Sequence, residues 1–249
     1  ATSAQKTKEA VLKKLDSQTE KYGSIAMQIW DLAEIGYLEE QSSSLLQETL
    51  SNEGFIIKKG VANIPTAFIA EYGSGLPIVA ILGEFDALPG LSQQAIPEKK
   101  FANGNAGHAC GHHLFGTASA AAAISVKQWM QSTKQKGTIR FYGCPAEEGG
   151  GAKVYMAREG LFDDVDIALH WHPSSQNAAS AAAALANISA KFRFYGISAH
   201  AAGAPEKGRS SLDGVEAMNA MVNMMREHVP QEARIHYVCL LYTSPSPRD

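Results

Sequence analysis

The densest chemistry in this chain is Gly107-His108-Ala109-Cys110-Gly111-His112-His113, with three histidines and a cysteine inside six positions. Thiolate and imidazole are the softer ligands that zinc-like transition metals prefer. The segment precedes a stretch with helical spacing, so a helix macrodipole is expected to lower the Cys110 thiol pKa and favour the thiolate. The plain alternative is a packing cysteine among loop histidines.

Pro145-Ala146-Glu147-Glu148-Gly149-Gly150-Gly151 is the second group. Paired acids at a turn are commonplace, but three glycines let the backbone bend and leave the carboxylates uncovered. One acid can then bind metal while its neighbour stays free to take a proton from an attacking water. Ala168-Leu169-His170-Trp171-His172-Pro173 is the third, with two histidines on one face of a strand. Spacing does not choose between them. In Gly83-Glu84-Phe85-Asp86-Ala87-Leu88-Pro89-Gly90 the two acids also share a face. Asp86 can accept the second ring N–H of a ligating histidine, or be a turn acid before Pro89. His200, in Gly196-Ile197-Ser198-Ala199-His200, is the weakest candidate, since a lone loop histidine is usually solvated.

The elements that must hold these residues follow from apolar spacing. Thr7 to Ile35 predicts an amphipathic helix, in two parts joined near Gly23, and Ser42 to Ser51 a second helix. Thr66 to Glu71 and Ile78 to Gly83 predict strands, as do Gly137 to Cys144 and Val165 to His170. The second and last of these read as strands buried on both faces. Gly116 to Met130 and Gly151 to Glu159 predict helices. Alternating helices and apolar strands imply an α/β sandwich with a mostly parallel central sheet. Near Leu185 the texture changes. Ile188 to Tyr195 predicts a strand, Ser211 to His228 a helix and Ile235 to Val238 a further strand, which opens a second α+β domain.

Composition narrows the function classes. With 45% apolar and 19% charged residues the chain is globular rather than disordered. A net charge of −3 gives no reason to expect nucleic acid, and no apolar run approaches a membrane span. Three cysteines argue against a disulfide framework. Ala1 to Gln5 reads as a signal-peptide remnant or an arbitrary start, so cytoplasm and periplasm are both expected.

Taken together, the motifs at 83–90, 107–116, 145–153 and 198–205 resemble the metal-dependent amidohydrolase and metallopeptidase family of aminoacylases, carboxypeptidase G and auxin-conjugate hydrolases. The resemblance implies a zinc-peptidase-like fold with an inserted lid and dimerisation domain. It implies two divalent ions, manganese or zinc, held by Cys110, His112, Glu148 and His170. Glu147 is then the general base, and Asp86 an orienting acid. His200 is a lid histidine that steadies the oxyanion in a partner subunit's site. The implied reaction is attack by water on the amide of an N-acyl or N-aroyl amino acid such as p-aminobenzoyl-glutamate. The implied assembly is a homodimer through the lid, or a heteromer with a related subunit.

The expected division is a catalytic portion over 1–184, a partial lid over 185–238 and a tail over 239–249. Ser-Pro-Ser-Pro in that tail cannot continue a strand or helix, so it reads as non-native. The family pattern stops after Val238, before a final histidine ligand, so the chain alone is expected to be inactive. Two rivals stand beside the metal hydrolase. A cysteine hydrolase with Cys110 as nucleophile leaves the paired acids without a role and would survive chelation. A non-catalytic partner protein would keep the fold and lack turnover.

Overall fold

The computed structural model describes residues 3–179 and 183–238. Two compact units divide it, Ala1–Asn177 and Ala178–Asp249, a boundary earlier than Leu185.

In the first unit α1 (Ser3–Asp16) and α2 (Thr19–Leu32) are separate helices that part at Ser17-Gln18 rather than at Gly23. Local hydrogen bonding decides this: the Ser17 and Thr19 hydroxyls donate to the carbonyls of Lys14 and Asp16 and compete with the helical ladder. Next come α3 (Glu40–Asn52), β1 (Ile56–Lys59), β2 (Phe68–Ser74), β3 (Ile78–Gly83) and the short pair β4 (Leu88–Pro89) and β5 (Ala106–Gly107). They are followed by α4 (His112–Thr133), β6 (Gly137–Gly143), α5 (Ala152–Arg158) and β7 (Ile167–Leu169). The main sheet has the order β1-β2-β6-β3-β7. β6, β3 and β7 are parallel, as expected of the central sheet, and β1 and β2 are antiparallel additions at one side, so the expected parallel sheet holds in part.

Strand alternation gives each face its own core. Phe68, Ala70, Ile81, Ile139 and Phe141 point to the face covered by α2, α3 and α4. Ile69, Ala80, Tyr142 and Cys144 point to the other, against Met156 of α5. β7 departs from the expected buried strand. It is an edge strand with Ile167 and Leu169 about half exposed, since the described residues pair it on one side only. No described helix is long and apolar enough to cross a membrane.

Two glycines bring α4 down onto β3. A Cβ on Gly116 would lie 2.6 Å from the Glu84 carbonyl oxygen, and one on Gly83 would lie 3.3 Å from the Gly116 Cα. Gly116→Ala is therefore expected to destabilise the chain by about 1–3 kcal/mol through overpacking, more than the gain of roughly 1 kcal/mol in helix propensity. Thermal unfolding measures this; an unchanged or higher midpoint would refute the close approach.

The second unit contributes α6 (Ser211–Met225), capped by Ser210 Oγ accepting from Asp213 N at 3.2 Å. A short 3-10 turn over Arg226–His228 extends it to the expected end. The strands expected at Ile188–Tyr195 and Ile235–Val238 do not form. A strand needs a ladder partner, and the pairing described here is the single bridge between Ile197 and Arg209. The tail over 239–249 lies outside the described residues.

Candidate metal centre

The carboxyl ends of three parallel strands meet at one place. Gly83 of β3 stands beside Gly143 of β6, and Ile81 of β3 beside Leu169 of β7. Glu84 to Asp86, Pro145 to Glu148 and His170 to His172 therefore leave the same edge of the sheet, where open α/β sheets form their sites. The amino end of α4 lies over that edge and brings His112 to it.

His112 is the hub, with its side chain 1% exposed. Its Nδ1 is 2.9 Å from Asp86 Oδ1, and its Nε2 is 3.0 Å from Glu84 Oε2. Nε2 also lies 3.9 Å from both Glu147 Oε2 and Glu148 Oε1. The other oxygen of buried Asp86, Oδ2, accepts from Glu148 N at 2.9 Å. One acid thus orients a histidine and a glutamate together.

The strand-end histidines separate. His172 Nε2 is 3.3 Å from Cys110 Sγ, and Cys110, His112 and His172 form one group whose donor atoms lie within 4.8 Å of one another. His170 Nε2 is 3.4 Å from Glu84 Oε1. Glu84, His112 and Glu147 make a second such group. The sequence alone offered Glu84 only a shared face with Asp86. Here it is buried and also paired with Lys153 of α5, the last residue of the 145–153 motif and one to which the sequence attached no role. A buried acid at a strand end is the signal that its partner should be sought.

Electrostatics confirm the crowding. Burial would raise the Glu84 pKa, but His112 and Lys153 hold it at about 2. Burial would lower that of His112, yet Asp86 and Glu84 hold it at about 10. Burial and neighbouring Glu84 raise Glu147. Cys110 contradicts the helix-dipole expectation. Burial and the carboxylates of Glu148, Glu147 and Glu84 push its thiol up to about 12. α4 starts only at His112 behind a Gly111 cap, and its partial charge is outweighed by three acids.

A metal fits the residues present. His112 Nε2 and Glu148 Oε1 are both buried without a well-directed hydrogen bond. They are 3.9 Å apart, a gap that two bonds of roughly 2.0–2.2 Å can span. His200 belongs to the second unit and is exposed. Its Nδ1 accepts from Ala202 N at 3.2 Å and Gly203 N at 2.9 Å, which leaves Nε2–H as the outward donor.

Comparison with known proteins agrees with this picture. The profile of peptidase family M20/M25/M40 matches residues 80–238. The chain is 49% identical over 225 residues to one of the subunits of Escherichia coli p-aminobenzoyl-glutamate hydrolase, covering 90% of this chain and 47% of that protein. It is 29% identical over 241 residues to the mouse Xaa-Arg dipeptidase, covering 92% and 52%. Among solved structures, a dinuclear metal-binding peptidase of the M20 family from Bacillus subtilis superposes with a TM-score of 0.53 at 25% identity, covering 62% of this chain and 43% of that one. The chain spans about half the length of the curated relatives it matches.

Proposed function

Because this chain belongs to peptidase family M20/M25/M40, we propose that it carries the metal-binding core of an amide hydrolase acting on N-acyl or N-aroyl amino acids, p-aminobenzoyl-glutamate foremost. The observation that carries the reading is the pair of buried atoms His112 Nε2 and Glu148 Oε1, 3.9 Å apart beside Cys110 and neither in a well-directed hydrogen bond. The proposed ligands of two divalent ions are Cys110, His112, Glu148 and His170. Thiolate and imidazole favour zinc and the carboxylates suit manganese. The ions, when bound, polarise the amide carbonyl and acidify water. Glu147 accepts the proton of the attacking water and returns it to the leaving amine nitrogen. Asp86 keeps His112 and Glu148 aimed. His200, with its Nε2–H outward, donates to the oxyanion in a partner subunit's site. The assembly is a homodimer through residues 185–238 or a heteromer with a related subunit, in the cytoplasm or periplasm.

A second reading of the ligand set rests on the 3.3 Å contact of His172 with Cys110, which favours His172 as the strand-end ligand. His170→Ala and His172→Ala separate the two by metal content after dialysis. The ligand's removal is expected to lower bound metal per chain, while the other variant keeps the full complement.

The function as a whole is tested by metal analysis and a panel of N-acyl amino acids, on this chain and on a form extended to its relatives' length. Chelation is expected to abolish hydrolysis. Hydrolysis that survives chelation but not thiol alkylation would transfer the reaction to Cys110.

A further inference from the structure

Between α2 and α3 the chain runs Ala33-Glu34-Ile35-Gly36-Tyr37-Leu38-Glu39, and it touches both acid-bearing loops of the site. Two of its non-glycine residues are left-handed, Ala33 at φ 43° and Tyr37 at φ 68°. Such conformations are uncommon for residues with a Cβ and persist only where surrounding contacts hold them. On one side the Glu34 carbonyl accepts from Ala87 N at 2.8 Å, next to Asp86. On the other, three contacts reach the glutamate turn. Glu39, fully buried, accepts from Ala146 N at 2.7 Å and from Thr66 Oγ1 at 3.2 Å. Tyr37 Oη donates to the Gly150 carbonyl at 2.8 Å. Gly36 lies flat on Ala146, where a Cβ would come within 3.0 Å of its Cα and Cβ.

Ala146 is itself left-handed, at φ 54°, and immediately precedes Glu147. Its carbonyl is used within the turn, accepting from Gly150 N and Gly151 N, so its N–H depends on Glu39. We propose that residues 34–39 form a clasp on the glutamate turn, with Glu39 as a positioning residue that holds Ala146 in the conformation from which Glu147 faces His112. The Glu39 contact is separate from the support of Glu148, whose backbone N–H is held by Asp86. Its catalytic meaning rests on the proposed function; its structural content does not.

Amide hydrogen exchange over residues 146–151, with metal content on the same preparations, tests the clasp in the whole chain. Glu39→Leu is expected to speed exchange there by about tenfold, the worth of one good hydrogen bond to a buried carboxyl oxygen. Glu39→Gln keeps a carbonyl acceptor and is expected to restore protection, with metal content unchanged in both. Where hydrolysis is measurable, Glu39→Leu lowers kcat with little change in KM, and Gln recovers it. Unchanged exchange in a folded Glu39→Leu protein overturns the proposal, as does an equal rise in Glu39→Gln. If the leucine variant does not fold, Tyr37→Phe decides: faster exchange at 146–151 supports the clasp and unchanged exchange overturns it. A wild-type chain that binds no metal counts against the proposed function and leaves the exchange result standing.

Discussion

Replacing Glu147 by Gln is expected to lower turnover by about 10²–10⁴-fold, the usual worth of a positioned proton acceptor, with bound metal unchanged. Glutamine preserves shape and removes only the basic oxygen. The side chain is the most open of the acids around His112, 44% exposed against 20% for Glu148 and 2% for Glu84. A group that must meet water and then the leaving nitrogen needs that access. Glu148, by contrast, has a buried oxygen and a backbone tied to Asp86. The measurement is kcat beside metal stoichiometry on one preparation. Loss of metal in Glu147→Gln would make Glu147 a ligand, in keeping with its place in the Glu84–His112–Glu147 group, and would end its assignment as base.

The second large effect is expected at Asp86. Asp86→Ala should weaken metal binding by 10–100-fold or more, because partners that orient ligands are worth about that much each and Asp86 orients two. Its removal leaves His112 Nδ1–H and Glu148 N–H without an acceptor in a buried place, which adds desolvation to lost alignment. Asp86→Asn keeps one acceptor and should fall between. Competition against a metallochromic chelator reads the affinity directly. A variant that binds as tightly as the parent would show that the acid serves packing alone.

How much of this was legible in the sequence depends on the range of each interaction. β3 and β6 match the apolar runs almost to the residue, because burial on both faces writes itself into consecutive positions. β7 was placed but misjudged: its apolar residues read as buried, and whether an edge is covered depends on what pairs with it. The strand expected at Ile188–Tyr195 fails for a related reason, since alternation describes a face and a strand also requires a neighbour. At the site, Cys110, His112, Glu147 and Glu148 announced themselves by clustering. Glu39 did not, because it meets its partner across more than a hundred positions of chain, and Lys153, though it ends the 145–153 motif, carries no sign of the acid it meets sixty-nine positions away. The thiol of Cys110 shows the same limit. Its helix is local, but the burial that raises the thiol most comes from the folded chain around it, and the acids that add to it follow two other strands.

The strand order has a consequence for synthesis. β2 and β3 are close in sequence, yet β6 stands between them in the sheet. Each offers an open hydrogen-bonding edge until residues 137–143 have left the ribosome. Elongation at about 5–20 residues per second makes that wait a matter of seconds for the stretch between β3 and β6. During it Phe68, Ala70 and Ile81 lack Phe141 and Ile139, the neighbours that complete their face. A nascent chain halted before residue 137 should therefore be held by chaperones and prone to aggregate, and one released past 169, with α5 and β7 also in place, less so.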